Sequence, residues 1–137
     1  MYNTANASKE LTMKAIKDQM TAFPHTINAE KNLKFAENKM KELSVRHLPV
    51  LKAGKLIGII SERDIQFVES FEKLDLSEIL VEEAFTNEPF CVESTEELSK
   101  VCAEMAERKI GSAMVTQDGQ LVGIFTWIDA LKYLAKS

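Results

Sequence analysis

Apolar side chains recur at two different spacings along this chain, and the two spacings alternate. After a short extended segment, Thr26-Ile27, an apolar residue returns every third or fourth position, which predicts an amphipathic helix with Asn28 as its N-cap. The same spacing returns in the second half of the chain, where Ser94 and Glu97 are expected to form a capping box. The two apolar stripes consist of Leu33, Ala36, Met40 and Leu43, and of Leu98, Val101, Cys102 and Met105.

Each stripe is followed by two short apolar runs that flank a tight turn, a pattern that predicts a β-hairpin. The turns are expected at Ala53-Gly54 and at Asp118-Gly119, of which the Asp-Gly pair is the stronger turn signal. A further helix is predicted to begin directly after each hairpin, at Ser61 and at Thr126. The four runs are residues 48–51, 56–60, 113–116 and 121–125.

The two halves of the chain are copies of one sequence pattern. A shift of 65 positions (129 − 64) aligns them without a gap, and it brings paired glycines and a shared Ser/Thr-x-x-Asp motif into register. Each half has about 60 residues, a size that is marginal for an independent domain, so the halves are expected to fold as one body. The coinciding pairs include Thr21 with Thr86, Pro24 with Pro89, Gly54 with Gly119, Gly58 with Gly123, and Asp64 with Asp129.

This repeat predicts a mixed α/β (α+β) fold in which each copy consists of a short strand, a helix, a two-stranded hairpin and a second helix. The two copies are expected to pack as one body with pseudo-two-fold symmetry. Residues before 16 form either a helix from Ser8 or a frayed tail. The predicted segments are an N-terminal segment 1–15, a first repeat 16–73, a linker 74–80 and a second repeat 81–137.

Composition narrows the class of protein. The 137 residues are 45% hydrophobic and 28% charged, as in a globular protein. The net charge of −4 and the absence of a basic stripe argue against nucleic acid as a partner. No apolar run is longer than residues 56–60, which is far shorter than the roughly 18 residues of a membrane span, and the polar N-terminus lacks a secretory pattern. We therefore expect a cytoplasmic protein with no membrane partner, in which Cys91 and Cys102 are small buried thiols.

Four segments of this sequence resemble the cystathionine β-synthase (CBS) domain family, whose domains usually occur as a tandem pair called a Bateman module. The resemblance spans about residues 16–135. It implies two α/β repeats packed sheet to sheet, two quasi-equivalent clefts that hold adenosine nucleotides in many members, and homodimers formed side by side. The segments are Met20–Thr26 (Met-Thr-x-x-Pro-x-Thr), Arg46–Val50 (Arg-His-Leu-Pro-Val), Gly58–Asp64 and Gly123–Asp129.

The resemblance assigns the ribose of a nucleotide to Asp64 and Asp129. A carboxylate accepts about four hydrogen bonds, enough for both hydroxyls of a cis-diol. The first turn of a helix also offers free N–H groups to a phosphate. The same Ser/Thr-x-x-Asp spacing is typical of a capping box, so each Asp could serve only to cap its helix, and the two roles are compatible.

The two expected clefts differ in charge. Three basic residues of the first cleft stand where the family often meets phosphates, whereas the matching positions of the second are Gly111, Ser112 and Ile128, and Cys91 replaces Thr26. The first-cleft candidates are Thr26, Arg46, His47, Pro49, Ser61, Arg63 and Asp64. The candidates of the second, weaker cleft are Cys91, Ser112, Ala113, Thr126 and Asp129.

We therefore expect the first cleft to bind AMP, with ADP and ATP as further candidates. The second cleft is expected to be empty, to bind adenosine more weakly or to prefer a less anionic ligand. Neither a catalytic cofactor nor a metal site is expected, because the Cys and His residues lack ligand spacing, and Mg²⁺ would enter only with a polyphosphate. Arg63 has an alternative role as the partner of Glu62 or Glu69, and Trp127 either stacks on a ligand or packs at a dimer face.

The sequence thus predicts a regulatory module rather than an enzyme. It would sense energy charge through an adenine nucleotide and signal to an unidentified regulated protein by a change of shape or dimer geometry. The alternative is a dimerisation or scaffold module that needs no ligand, in which both aspartates only cap helices.

Overall fold

A computed structural model of the chain describes residues 14–87 and 89–136. The backbone divides into two compact units: a central unit, His25–Pro89, and a terminal unit that joins residues 14–24 to 90–136. In chain order the elements are β1 (Thr21–Ala22), β2 (Ile27–Asn28), α1 (Leu33–Leu43), β3 (His47–Lys52), β4 (Lys55–Ser61), α2 (Glu62–Glu69), β5 (Thr86–Asn87), β6 (Cys91–Glu93), α3 (Leu98–Arg108), β7 (Ser112–Gln117), β8 (Gln120–Thr126) and α4 (Trp127–Ala135), with short 3₁₀ turns at Ile16–Asp18, Leu76–Glu78 and Val81–Glu83.

The central unit is a four-stranded sheet covered by α1 and α2, with strand order β2-β3-β4-β5. Strand β2 runs parallel to β3, and the other neighbours are antiparallel. The β3–β4 hairpin turns at Ala53 and Gly54, which both have positive φ as a tight hairpin turn requires. The predicted hairpin is confirmed, and its apolar face lies in a core with Leu33, Ala36 and Met40 of the first stripe.

The terminal unit repeats this plan with strand order β1-β8-β7-β6. Strand β6 runs parallel to β7, and β7 and β8 form the second predicted hairpin. Its turn again places two residues, Asp118 and Gly119, at positive φ. The core includes Leu98, Val101 and Met105, and Cys102 is half-buried at its edge. A mixed α+β fold built twice from one pattern is therefore confirmed.

Each unit takes one outer strand from the other sequence repeat. Strand β1 pairs with β8, Thr21 lying opposite Ile124, and β5 pairs with β4, Thr86 lying opposite Ile59. The paired glycines make this possible. A Cβ on Gly58 would overlap the Phe85 ring and the carbonyl oxygen of Thr86, and a Cβ on Gly123 would overlap the Met20 side chain.

Three local expectations are wrong. Asn32, not Asn28, caps α1, because its side chain accepts the Phe35 N–H at 2.8 Å, while Asn28 accepts the Glu30 N–H in a turn of its own. Ser94 forms no capping box. It is buried and its hydroxyl donates to Gln117 at 3.3 Å, and α3 begins after Glu97 without a side-chain cap.

Cys91 is exposed rather than buried, because it lies on the face of β6 opposite to Val92, which packs against the core. The alternative of a helix from Ser8 lies outside the described residues. Within residues 14–87 and 89–136, no helix is long and apolar enough to cross a membrane.

Candidate functional site

The first candidate site lies where the β3–β4 hairpin meets α2. His47, the first residue of β3, lies opposite Ser61, the last residue of β4. The carbonyl oxygen of Arg46 accepts the backbone N–H of Glu62 at 2.9 Å, which ties the residue before β3 to the first residue of α2. Arg46, His47 and Ser61 therefore meet at the N-terminal end of α2.

Asp64 completes this corner of the central unit from the first turn of α2. Its Oδ2 accepts the Ser61 backbone N–H at 2.8 Å, and its own N–H donates to Ser61 Oγ at 3.1 Å, so the capping box is present. The Thr86 hydroxyl donates to Asp64 Oδ1 over a long 3.5 Å. Two of about four acceptor positions are thus in use, and the half-buried carboxylate retains capacity for a cis-diol.

Two arginines at this corner have uncommitted guanidiniums, although Glu62 and Asp64 lie in the same first turn of α2. Both side chains are exposed, and among the described residues neither Arg46 nor Arg63 forms a hydrogen bond or an ion pair through its guanidinium. Among the described residues, Arg63 pairs with neither Glu62 nor Glu69, so that alternative is wrong. A pair of uncommitted guanidiniums beside a helix N-terminus is suited to an anion such as phosphate.

His47 lies within the field of these charges. Burial lowers the pKa of its imidazole below the usual 6.5, and the positive charges of Arg46 and Arg63 lower it further. The carboxylates of Asp64 and Glu62 oppose this shift. The imidazole is therefore neutral at pH 7 in a site whose other nearby cations are permanently charged.

The remaining first-site candidates lie along the strands behind this corner. Pro49 is buried in β3, two positions after His47 and on the same side of the strand. Thr26 precedes Ile27, which lies opposite Val50 in the parallel pair, so Thr26 lies beside Pro49. The structure thus brings all seven predicted residues into one edge of the central unit.

Lys39 is a cation near this edge that the sequence did not indicate. From α1 its Nζ donates to the carbonyl oxygen of Thr26 at 3.0 Å and lies 5.9 Å from the centroid of the Phe35 ring. An ammonium has three donors, so two remain after the bond to Thr26. The sequence gives no signal for Lys39, because its position depends on α1 lying beside Thr26 in the fold.

The matching corner of the terminal unit has the same arrangement of a hairpin followed by a helix with a capping box, which we call the frame. Ser112 lies opposite Thr126, and the Trp127 N–H donates to the carbonyl oxygen of Gly111 at 3.2 Å. Asp129 forms a capping box with Thr126, whose N–H and hydroxyl both donate to Oδ2, at 2.8 and 3.2 Å. The Thr21 hydroxyl donates to Oδ1 at 3.2 Å, so Asp129 has three bonds where Asp64 has two.

The positions that are basic in the central corner are uncharged in the terminal one. Gly111, Ser112 and Ile128 occupy the positions of the three basic groups, and Trp127 beside them is half-exposed. Cys91, opposite Met114, is an exposed thiol whose pKa is raised by partial burial, so it is protonated at neutral pH. Ala113 is fully buried, so its side chain is not accessible to a ligand.

The described part of the central unit also contains an acidic cavity. This cavity of about 360 Å³ lies between α1 and α2, but its acidic lining includes Glu37, Glu62 and Glu69 and does not suit an anion. A hydrogen bond with Glu37 raises the pKa of the Glu69 carboxyl there. Within residues 14–87 and 89–136, no group of three His, Cys, Asp or Glu residues is placed to hold a metal ion.

The sequence of the chain matches a known protein family. The sequence profile of the CBS domain matches residues 13–68 and again 81–136. The chain is 29% identical over 127 residues to inosine-5'-monophosphate dehydrogenase of Korarchaeum cryptofilum, a match that covers 90% of this chain and 24% of that enzyme. The chain therefore spans about a quarter of the length of that relative.

Solved structures match over nearly the whole chain. AcuB from Vibrio cholerae is 30% identical with a TM-score of 0.82, covering 90% of this chain and 92% of that chain. The CBS domain pair of protein MJ0100, in complex with 5'-methylthioadenosine and S-adenosyl-L-methionine, is 25% identical with a TM-score of 0.81, covering 90% and 97%.

Proposed function

Because the chain belongs to the CBS domain family and carries two repeats of that domain, we propose that it is a regulatory module whose central site binds an adenine nucleotide, AMP foremost. The observation that carries the proposal is the pair of guanidiniums, Arg46 and Arg63, which have no partner among the described residues and stand at the start of α2. ADP and ATP are further candidates, and exchange between them and AMP would make the module a sensor of energy charge.

In this proposal the phosphate binds at the guanidiniums of Arg46 and Arg63. Charge-assisted hydrogen bonds from arginine are roughly twice as strong as neutral ones and are often made in pairs. The N-terminal N–H groups of α2 and the positive end of its dipole favour the same group. Lys39 extends the positive charge along the same edge toward Thr26.

The ribose is placed at Asp64, whose carboxylate keeps two acceptor positions beyond its cap. In this proposal the adenine lies beside Thr26, whose hydroxyl is a donor and an acceptor, next to the segment of β3 that contains the buried Pro49. Support for an adenosyl ligand comes from the MJ0100 domain pair, which binds 5'-methylthioadenosine and S-adenosyl-L-methionine. Mg²⁺ would accompany only a polyphosphate.

The terminal site is proposed to take a less anionic adenosyl ligand more weakly. It has no basic group at Gly111, Ser112 or Ile128, and its Asp129 has only about one acceptor position left. Trp127 offers an exposed indole face at the same corner.

The output is proposed to pass through a homodimer. Helix α4 buries none of its residues, and its exposed apolar residues recur on one face, an arrangement that is costly to leave in water and is typical of interfaces. Ligand binding changes dimer geometry only as far as its affinities for the two arrangements differ. These apolar residues are Trp127, Ile128, Leu131 and Leu134.

The direct test is calorimetric titration of AMP, ADP, ATP and S-adenosyl-L-methionine. The double variant Arg46→Gln/Arg63→Gln should lower AMP affinity by at least about tenfold, because each charged hydrogen bond contributes about 1.5–3 kcal/mol. Both side chains are exposed and unpaired, so folding should be unaffected. Lys55→Gln, at the far end of β4, is the matched control and should leave affinity unchanged. Equal AMP affinity in all three proteins would contradict the proposal.

The capping boxes specifically favour a second candidate, a ligand-independent scaffold. If Asp64 only caps α2, Asp64→Ala should cost about 1 kcal/mol of unfolding free energy while no nucleotide binds at millimolar concentration. If the regulatory proposal holds, the same variant loses AMP binding in addition. Urea unfolding and calorimetry on one preparation separate the two.

A further inference from the structure

His47 differs from the other cations of the central site because its charge depends on pH. It lies opposite Ser61 and is half-buried, whereas Arg46 and Arg63 are exposed. Four charged groups act on it: Arg46 from its own segment, and Glu62, Arg63 and Asp64 from the first turn of α2. The two arginines oppose a proton on the imidazole, and the two carboxylates favour one.

An anion at this corner reverses that balance. A phosphate held by Arg46 and Arg63 adds negative charge near the imidazole and offsets the two positive charges that, in addition to burial, lower its pKa. Asp64 still contributes its carboxylate, because the ribose hydroxyls donate to it without removing its charge.

We propose that the central site takes up a proton from solvent on His47 when it binds the phosphate of a nucleotide. This inference rests on the proposed function, since it needs the anion at Arg46 and Arg63. It adds that the response to ligand depends on pH as well as on nucleotide concentration. The terminal site has Ser112 at the matching position and has no such dependence.

The direction in which AMP affinity changes with pH follows from proton linkage. A ligand that raises the pKa of a group binds more tightly as pH falls through the interval between the two pKa values, and each unit of difference is worth up to tenfold in affinity. The second ionisation of a phosphate, near pH 6, acts in the opposite direction, because the dianion is lost as pH falls. Only comparison with a variant that lacks His47 separates the two effects.

Proton NMR of the imidazoles is the first test, because the chain has two histidines and needs no labelling to resolve them. We expect saturating AMP to raise the pKa of His47, and adenosine, which lacks the phosphate, to leave it unchanged. His25 is exposed and is not one of the charged groups that act on His47, so it serves as the internal reference. The variants His25→Gln and His47→Gln assign the two resonances.

Calorimetry supplies a second readout. The ratio of AMP affinities, wild type over His47→Gln, should increase severalfold from pH 8 to pH 6, with His25→Gln behaving as wild type. In buffers of different ionisation enthalpy, proton uptake at pH 6.5 should be present in wild type and lost in His47→Gln.

The outcomes separate the two proposals. If AMP binds but the pKa of His47 stays constant and the affinity ratio changes by less than about twofold, the proton linkage is overturned and nucleotide binding stands. If AMP changes neither the NMR spectrum nor the heat signal, the proposed function fails and the linkage falls with it.

Discussion

The central and terminal units share a frame but not a chemistry. Both have a hairpin, a Ser/Thr-x-x-Asp capping box and an incoming threonine that donates to the capping aspartate, Thr86 to Asp64 and Thr21 to Asp129. They differ where a ligand would meet charge, because the three basic residues of the central corner have no counterpart in the terminal one. The capping residues are thus present in both copies, while the basic residues around them are present only in the central one.

The largest expected effect tests the frame itself. Gly58→Ala should destabilise the protein by about 2–3 kcal/mol, because the new methyl meets an aromatic ring and a backbone carbonyl that cannot both move aside. Gly123→Ala should cost about 1 kcal/mol, because the Met20 side chain that it meets is flexible. Urea unfolding of both variants measures the difference. Equal losses would mean that the two units accept their incoming strands in the same way.

The next largest effect is expected when basic residues are introduced at the terminal site. The double variant Ser112→His/Ile128→Arg should give the terminal site an affinity for AMP about tenfold higher than it has now, which is about 1.4 kcal/mol. Ile128 is half-exposed, so the arginine can be accommodated. Titration in the Arg46→Gln/Arg63→Gln background isolates the terminal site. No gain there would show that the frame of Asp129, with three of its acceptor positions in use, excludes the ribose.

The smallest effect concerns stability without ligand. The pKa of His47 is lowered in the folded protein, so the unfolded chain binds more protons between that lowered value and 6.5. Stability should therefore fall as pH drops through 6.5 and level off below the lowered pKa. His47→Gln should reduce this pH dependence by less than about 1 kcal/mol, because a partly exposed group is screened by solvent. Denaturant midpoints at pH 8 and pH 5 measure it, and an identical pH profile in the variant would contradict the assigned shift.

Local patterns predicted the parts of this fold that are held together locally. The hairpins, both helical stripes and the caps at Ser61 and Thr126 follow from spacings of a few residues. Asn28 and Ser94 were misassigned because a residue that can cap a helix can also close a turn or form a hydrogen bond within a core. Only the surrounding fold decides which of these roles the residue takes. The exposure of Cys91 depends on which face of the short strand β6 meets the core, and three residues give too little pattern to decide that.

The exchanged strands could not be predicted. Strands β1 and β5 have two residues each, too few for any periodic signal, and Thr21 lies 108 residues from the aspartate that it contacts. The predicted residues of each site did come together, because the hairpin register and the following helix bring them to one corner. Lys39 was missed because its role depends on α1 lying beside Thr26.

Strand exchange also fixes an order of events on the ribosome. The central unit can close its sheet once β5 has been synthesised, since Thr86 is 22 residues from Asp64. Strand β1 is synthesised before the other strands that the structure describes, but it must wait for β8, which follows all of them along the chain. A nascent chain therefore completes its charged corner while the neutral one still lacks its partner strands, and loss of either sequence repeat would leave both sheets incomplete.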